Sequence, residues 1–154
     1  MASTISAATL TVTITEAVTL NGYDQGSSNS LTISSVNEVF KRIVTCPASN
    51  VTVIASFNSN VYGAAGALDV EDVKYIRITN KDDTNALELG VIGAATNYMV
   101  ELGAGESHVL GSPDTLMLAE ADTDPSFGTM TDLSSIEVDP GSNAIDVELF
   151  IASG

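Results

Sequence analysis

Apolar and polar residues alternate along this chain with a period of two. In Thr9-Leu10-Thr11-Val12-Thr13-Ile14-Thr15 every even position is apolar and every odd one is threonine. Residues two apart project from the same side of an extended backbone, so this spacing predicts a half-buried strand of β-branched residues. The alternation recurs downstream. Val51, Val53, Ala55 and Phe57 share a face, as do Ile76 and Ile78, then Leu87, Leu89 and Val91, then Tyr98, Val100 and Leu102. Leu116 and Leu118 are a shorter case. The clearest is the last, where Ile145, Val147, Leu149 and Ile151 alternate with Asp146, Glu148 and Phe150.

Turn-forming residues separate these runs. Asn21-Gly22 opens a loop expected to continue through Asp24, Gly26 and residues 27–30. Cys46-Pro47 and Ser49-Asn50 suit a short connection, residues 63–66 form a small-residue loop, and residues 80–85 join two strands. Gly103-Ala104-Gly105 and Gly111-Ser112-Pro113-Asp114 bracket a very short strand. Residues 122–128 are the longest irregular stretch, and Asp139-Pro140-Gly141-Ser142-Asn143 is a strong turn. One segment fits two periods. Val36, Val39, Phe40 and Ile43 have helical spacing behind a Ser35/Glu38 capping box, yet residues 36–44 also alternate. A strand from about Glu38 to Thr45 is the preferred reading, with one helical turn at residues 35–39 as the alternative. The pattern predicts an all-β chain. Its expected form is a single antiparallel β-sandwich of jelly-roll or Greek-key type, with about nine or ten short strands in one domain over residues 1–154.

Composition narrows the function classes. The chain has 154 residues, 5 Lys+Arg, 20 Asp+Glu and a formal net charge of −15, with 44% hydrophobic residues. Such apolar content is too high for a disordered acidic tail. No run approaches the ~20 apolar residues of a membrane-spanning helix. The negative charge repels phosphate backbones and argues against nucleic acid as a partner. Size scaling puts roughly two thirds of the unfolded surface inside the fold, enough for a core without metals or disulfides. Cys46 is the sole cysteine and cannot form an intrachain bridge. The start, Met1-Ala2-Ser3-Thr4-Ile5-Ser6, lacks the basic and apolar regions of a signal peptide, so synthesis in a reducing cytoplasm is expected. The basic residues Lys41, Arg42, Lys74, Arg77 and Lys81 all fall mid-chain, and the final 73 residues carry 14 acids and no Lys or Arg.

Candidate chemistry is sparse. His108 is the only histidine. Its neighbour Ser107 points to the opposite face of a strand, and no G-x-S-x-G elbow accompanies it, so a Ser–His–Asp hydrolase is disfavoured. With 20 acids, chance carboxylate pairs are unavoidable, and without tryptophan the aromatic platforms of a sugar groove are thin. Asp82-Asp83-Thr84-Asn85 and Asp122-Thr123-Asp124 offer hard oxygen ligands for Ca²⁺, but neither has EF-hand spacing, and Asp and Asn are ordinary turn formers. Cys46 reads as a buried or half-buried thiol. Gly63-Ala64-Ala65-Gly66-Ala67 lacks the lysine and helix of a phosphate loop. No catalytic, cofactor-binding or metal-ligating residue is assigned, and no enzyme activity is expected.

Two stretches bear a resemblance. Val73-Lys74-Tyr75-Ile76-Arg77-Ile78-Thr79-Asn80-Lys81-Asp82-Asp83-Thr84-Asn85 joins an Ile-Arg-Ile-Thr-Asn strand to an Asp-Thr-Asn tip. Tyr98-Met99-Val100-Glu101-Leu102-Gly103-Ala104-Gly105-Glu106-Ser107-His108-Val109-Leu110 carries an Ala-Gly-Glu-Ser turn. With Phe40-Lys41-Arg42-Ile43-Val44-Thr45-Cys46-Pro47 upstream, these resemble small β-rich virion proteins of tailed bacteriophages, especially marine ones, over roughly residues 35–111. The resemblance implies a non-enzymatic virion protein made in the host cytoplasm. Its expected role is capsid decoration or cement, binding the major capsid protein or another virion protein on the head exterior. A tail-, collar- or fibre-associated protein, or a glycan-binding adhesin module, is the alternative. It also implies a homo-oligomer, a dimer or trimer, since virion proteins sit on symmetric assemblies. Lys41, Arg42, Lys74, Arg77 and Lys81 are then the candidate contacts with an acidic shell surface.

Overall fold

The computed structural model describes residues 4–63, 66–93, 97–111 and 132–154. Within them lie thirteen strands and two short 3-10 turns: β1 (Ala8–Glu16), β2 (Thr19–Leu20), β3 (Tyr23–Asp24), β4 (Ser27–Val36), β5 (Glu38–Cys46), β6 (Thr52–Asn58), β7 (Leu68–Asp69), β8 (Val73–Asn80), β9 (Leu87–Gly93), β10 (Asn97–Leu102), β11 (Ser107–Leu110), β12 (Leu133–Asp139) and β13 (Ile145–Ser153). The chain is all-β. The strands exceed the expected nine or ten and form four sheets: β10-β9-β12-β6-β7, β11-β8-β13-β5, β1-β4 and β2-β3. All pairings are antiparallel except β6 with β7. The Leu116/Leu118 run, the irregular stretch 122–128 and the Asp122-Thr123-Asp124 group lie outside the described residues.

One hydrophobic core joins the five- and four-stranded sheets. Ile76, Ile78, Leu149 and Ile151 from the four-stranded sheet cluster with Leu89, Val91, Ile136 and Val138 from the five-stranded one. Each is fully buried, and burying such a side chain stabilises the fold by roughly 1.5–3 kcal/mol. Only β9 and β10 form a sequence-adjacent hairpin within this pair. The connections β5 to β6, β8 to β9, β10 to β11 and β12 to β13 all pass from one sheet to the other. Asn80 closes one such crossing from inside. Its buried amide donates to the carbonyls of Asn85, Leu102 and Gly103, and its Oδ1 accepts from the Asp82 amide. Those bonds satisfy loop carbonyls that would otherwise be buried unpaired.

Three local expectations are corrected, and one pair of alternatives is decided for the preferred strand. The Thr9–Thr15 alternation does form a strand, but it is not half-buried along its length: only Leu10 and Val12 are partly covered. Strand β1 pairs with β4 in a two-stranded ribbon, and most of that ribbon has no second layer beneath it among the described residues. Residues 27–30 belong to β4 and not to a loop. Asn21 and Gly22, at φ 51° and 82°, instead make a tight two-residue turn between β2 and β3, the geometry that favours Asn-Gly. Val51 and Val53 do not share the buried face of Ala55 and Phe57. A bulge at Ile54, where Ile136 and Glu137 oppose Ala55 and Val53, turns Val53 outward. The alternative helical turn at 35–39 is not formed. Ser35 takes a positive φ of 58° and bends the chain from β4 into β5, whose span matches the preferred strand to within a residue.

Candidate interaction surface

Residues 8–36 form an arm. Register pairs Leu10 with Ile33, Val12 with Leu31 and Ile14 with Asn29, placing Leu10, Val12, Ile14, Leu31 and Ile33 on one face. The opposite face is a hydroxyl ladder, with Thr13 against Ser30 at 2.9 Å and Thr15 against Ser28 at 3.0 Å. At its base the apolar face packs on Tyr75, Phe150 and Ala152, together with Val36. These three are outward residues of the four-stranded sheet, the side away from the main core. Tyr75 and Phe150 meet edge to face, with ring centroids 6.1 Å apart, an arrangement that adds to area burial. Further out the cover ends. Ile14 and Leu31 are about half exposed, and Val18, Leu20 and Tyr23 at the tip are exposed by 50%, 61% and 74%. A groove of about 580 Å³ runs between the arm and the sheet, with Ile14 on one wall and Arg77, Ser107 and Val109 on the other.

Two features fix the arm. Lys74 Nζ donates to the carbonyls of Ser34 (3.2 Å) and Ser35 (2.9 Å), clamping the bulged turn at its root. At the tip, Gly26 sits so close to the backbone that a Cβ there would lie 2.3 Å from the Glu16 carbonyl oxygen, so only glycine fits.

The outer face of the four-stranded sheet carries the main charge cluster. Strand β13 lies between β8 and β5, and its Glu148 sits level with Thr79 on one side and Ile43 on the other. Arg77 Nη2 bonds Glu148 Oε1 at 2.5 Å, and Lys41 Nζ lies 3.6 Å from Oε2. Arg77 also donates to Thr79 Oγ1. The Arg77 hydrogen bond, reinforced by the charges of Arg77, Lys41 and Lys81, holds the Glu148 carboxyl below its ordinary value. Around this cluster Val39, Ile43 and Val109 are exposed.

The structure therefore divides the five basic residues named from sequence. Lys41 and Arg77 meet at Glu148. Lys81 is exposed nearby, its backbone amide donating to the Asp146 carbonyl. Arg42 is on the other face of β5, with its guanidinium 5.8 Å from the Phe40 ring centroid. Lys74 is committed to the arm root. Sequence reasoning missed Glu148, Tyr75 and Phe150. Two aromatic rings at the polar phase of alternating strands were the available signal that this outer face is covered.

The remaining candidates are locally occupied. His108 Nε2 lies 2.8 Å from the Tyr98 hydroxyl, and burial lowers the imidazole below its ordinary value and raises the phenol. Ser107 is on the opposite face, 2.8 Å from Thr79 Oγ1. Asp82 Oδ1 accepts the amides of Thr84 and Asn85, which hold its carboxyl below the usual range and spend it on the turn. Cys46 is buried, and burial pushes its thiol up. Among the described residues no three His, Cys, Asp or Glu side chains converge as metal ligands. Comparison with protein-family models, curated proteins and solved structures finds no match.

Proposed function

We propose that this chain is a non-enzymatic structural protein of a bacteriophage virion, a decoration protein that seats on the outer surface of the head and stabilises it. On this reading the two core-sharing sheets are a β-sandwich of jelly-roll or Greek-key type, made in the host cytoplasm and carried on the particle. One structural observation supports the reading above others: an exposed hairpin arm with an apolar face and tip projects from a sheet that carries a mixed-charge cluster. Such a pairing is suited to reaching a neighbouring subunit. The resemblance of residues 73–85 and 98–110 to small phage virion proteins supplies the assembly. Docking onto the shell would act by linkage, since anything that binds only the assembled state stabilises it. The exposed Arg42 and Lys81 would face acidic groups of the major capsid protein.

Copy number in purified particles tests the proposal. Hundreds of copies per particle are expected for decoration of a symmetric shell. About a dozen or fewer would replace it with the tail, collar or fibre role, and absence from every particle would overturn both.

A further inference from the structure

Among the described residues, β1 of the arm and the edge strand β5 each leave one edge unpaired, and the two strands are of equal length. β1 and β5 each run nine residues, β1 pairs only with β4, and β5 pairs only with β13 among the described residues. A two-stranded ribbon is marginal alone, and a long exposed edge recruits another strand. We infer that β1 of a second copy of this chain adds to the outer edge of β5, and reciprocally, making a two-fold dimer by arm exchange. The inference goes beyond the virion reading and does not depend on it.

The side chains favour this occupant. The outward face of β5 presents Val39, Lys41 and Ile43 in alternation; the apolar face of β1 ends in Ile14 and Glu16, and Val18 follows, exposed, just beyond the strand. Laid antiparallel, Val18 meets Val39, Glu16 meets Lys41 and Ile14 meets Ile43. The one charged pair is of opposite sign, and the four valines and isoleucines are each at least half exposed in the single chain. Glu16 is the only charge on that arm face. Across residues 8–36 the arm carries only Glu16 and Asp24, in a chain of net charge −15. Such a segment can approach another copy with little like-charge repulsion. The geometry closes as well. The arm's apolar face already points at the outer face of its own sheet. Adding it to a partner's sheet with matching faces sets the two outer faces opposite each other in adjacent layers, an isologous arrangement that two-fold symmetry requires.

Sedimentation of the intact chain over a concentration series tests this. The expected species is a dimer of the 15.9 kDa chain. E16K and K41E should each raise the dimer dissociation constant about tenfold, by placing like charges opposite one another twice per dimer, and the double variant E16K/K41E should restore it. Because Lys41 also touches Glu148, a second variant, I14S/V18S, alters only exposed arm positions. It should sediment as a monomer with an unchanged circular dichroism spectrum. A wild-type monomer at every concentration, a trimer, a dimer indifferent to I14S/V18S, or single-charge variants that the double fails to rescue would each overturn the proposal. None of these outcomes alters the particle copy-number result, so the two readings fail separately.

Discussion

Strands β1 and β13 have nearly the same pattern and opposite fates. Both are nine residues long, with an apolar residue at every second position through all but the last. In β13 the apolar phase, Ile145, Val147, Leu149 and Ile151, is buried, and even its polar phase includes the covered Phe150 and buried Ala152. In β1 the apolar phase runs from partly covered Leu10 to exposed Ile14. The difference lies in what stands opposite. β13 is central in a sheet that faces a second sheet, whereas β1 is one half of a ribbon that, among the described residues, packs on the body only at its root. Alternation therefore specifies a strand and its two faces, and burial is conferred by the neighbouring layer.

Substitution should expose this contrast most strongly at matched apolar positions. Leu149→Ala is expected to cost about 2–5 kcal/mol in chemical denaturation, because it leaves a cavity between packed sheets. Ile14→Ala, measured on dilute protein, should stay within about 0.5 kcal/mol of wild type, as exposed sites do. Comparable losses at both sites would show that the arm is as well packed as the core. Next in size is Asn80→Ala. It strips partners from the carbonyls of Leu102 and Gly103 and should cost about 1–3 kcal/mol, read as a lowered denaturation midpoint.

Acid should act on the body before the charge cluster. Burial lowers the folded value of His108 below the ordinary 6.5, so the unfolded chain binds the extra proton first. Stability is complete above about pH 6.5 and falls as pH drops toward the folded value. Glu148 is likewise held below its ordinary 4.5, and its contribution is lost as pH falls through its folded value. Denaturation midpoints should therefore decline in two windows. His108→Gln should abolish the upper decline and leave the lower, while Glu148→Gln should leave the upper and reduce the lower, part of which belongs to the similarly lowered Asp82 carboxyl. An unchanged upper decline in His108→Gln would show that another group titrates there.

The smallest expected effect distinguishes arm from body by dynamics. Lys74→Met removes the donor to Ser34 and Ser35 while keeping much of the aliphatic stem. Global stability should change by about 1 kcal/mol or less, but amide exchange in β1 and β4 should rise several-fold relative to β8 and β13. Uniform exchange across all four strands would mean that Lys74 does not hold the arm root.

Much of the interaction surface was illegible before folding, for a specific reason. Lys41, Arg77 and Glu148 are far apart in sequence and meet only because β13 inserts between β5 and β8. Nothing local to Arg77 distinguishes it from Arg42, yet one faces Glu148 and the other lies over Phe40 on the opposite side of its strand. Lys74 looked like another surface cation, and its role depends on a positive-φ serine, Ser35, 39 residues earlier, that only the bent root of the arm reveals. By contrast, the Asn80–Asn85 turn and the buried Cys46 followed from short-range chemistry and stand as read.

The amino-acid sequence by itself determined that this chain is built of β-strands, where most of them run, and that Asn-Gly, Asp-Thr-Asn and Asp-Pro-Gly would turn it. Those are properties of side-chain branching and backbone preference, which act over a few residues. Tertiary structure alone decided that β1 and β4 leave the body as an arm, that Ile54 is an inserted bulge which reverses Val53, and that two dispersed cations share one carboxylate. Each of these depends on which strands become neighbours, and that choice is made by burial across sheets joined through long-range crossings, a quantity no local pattern encodes.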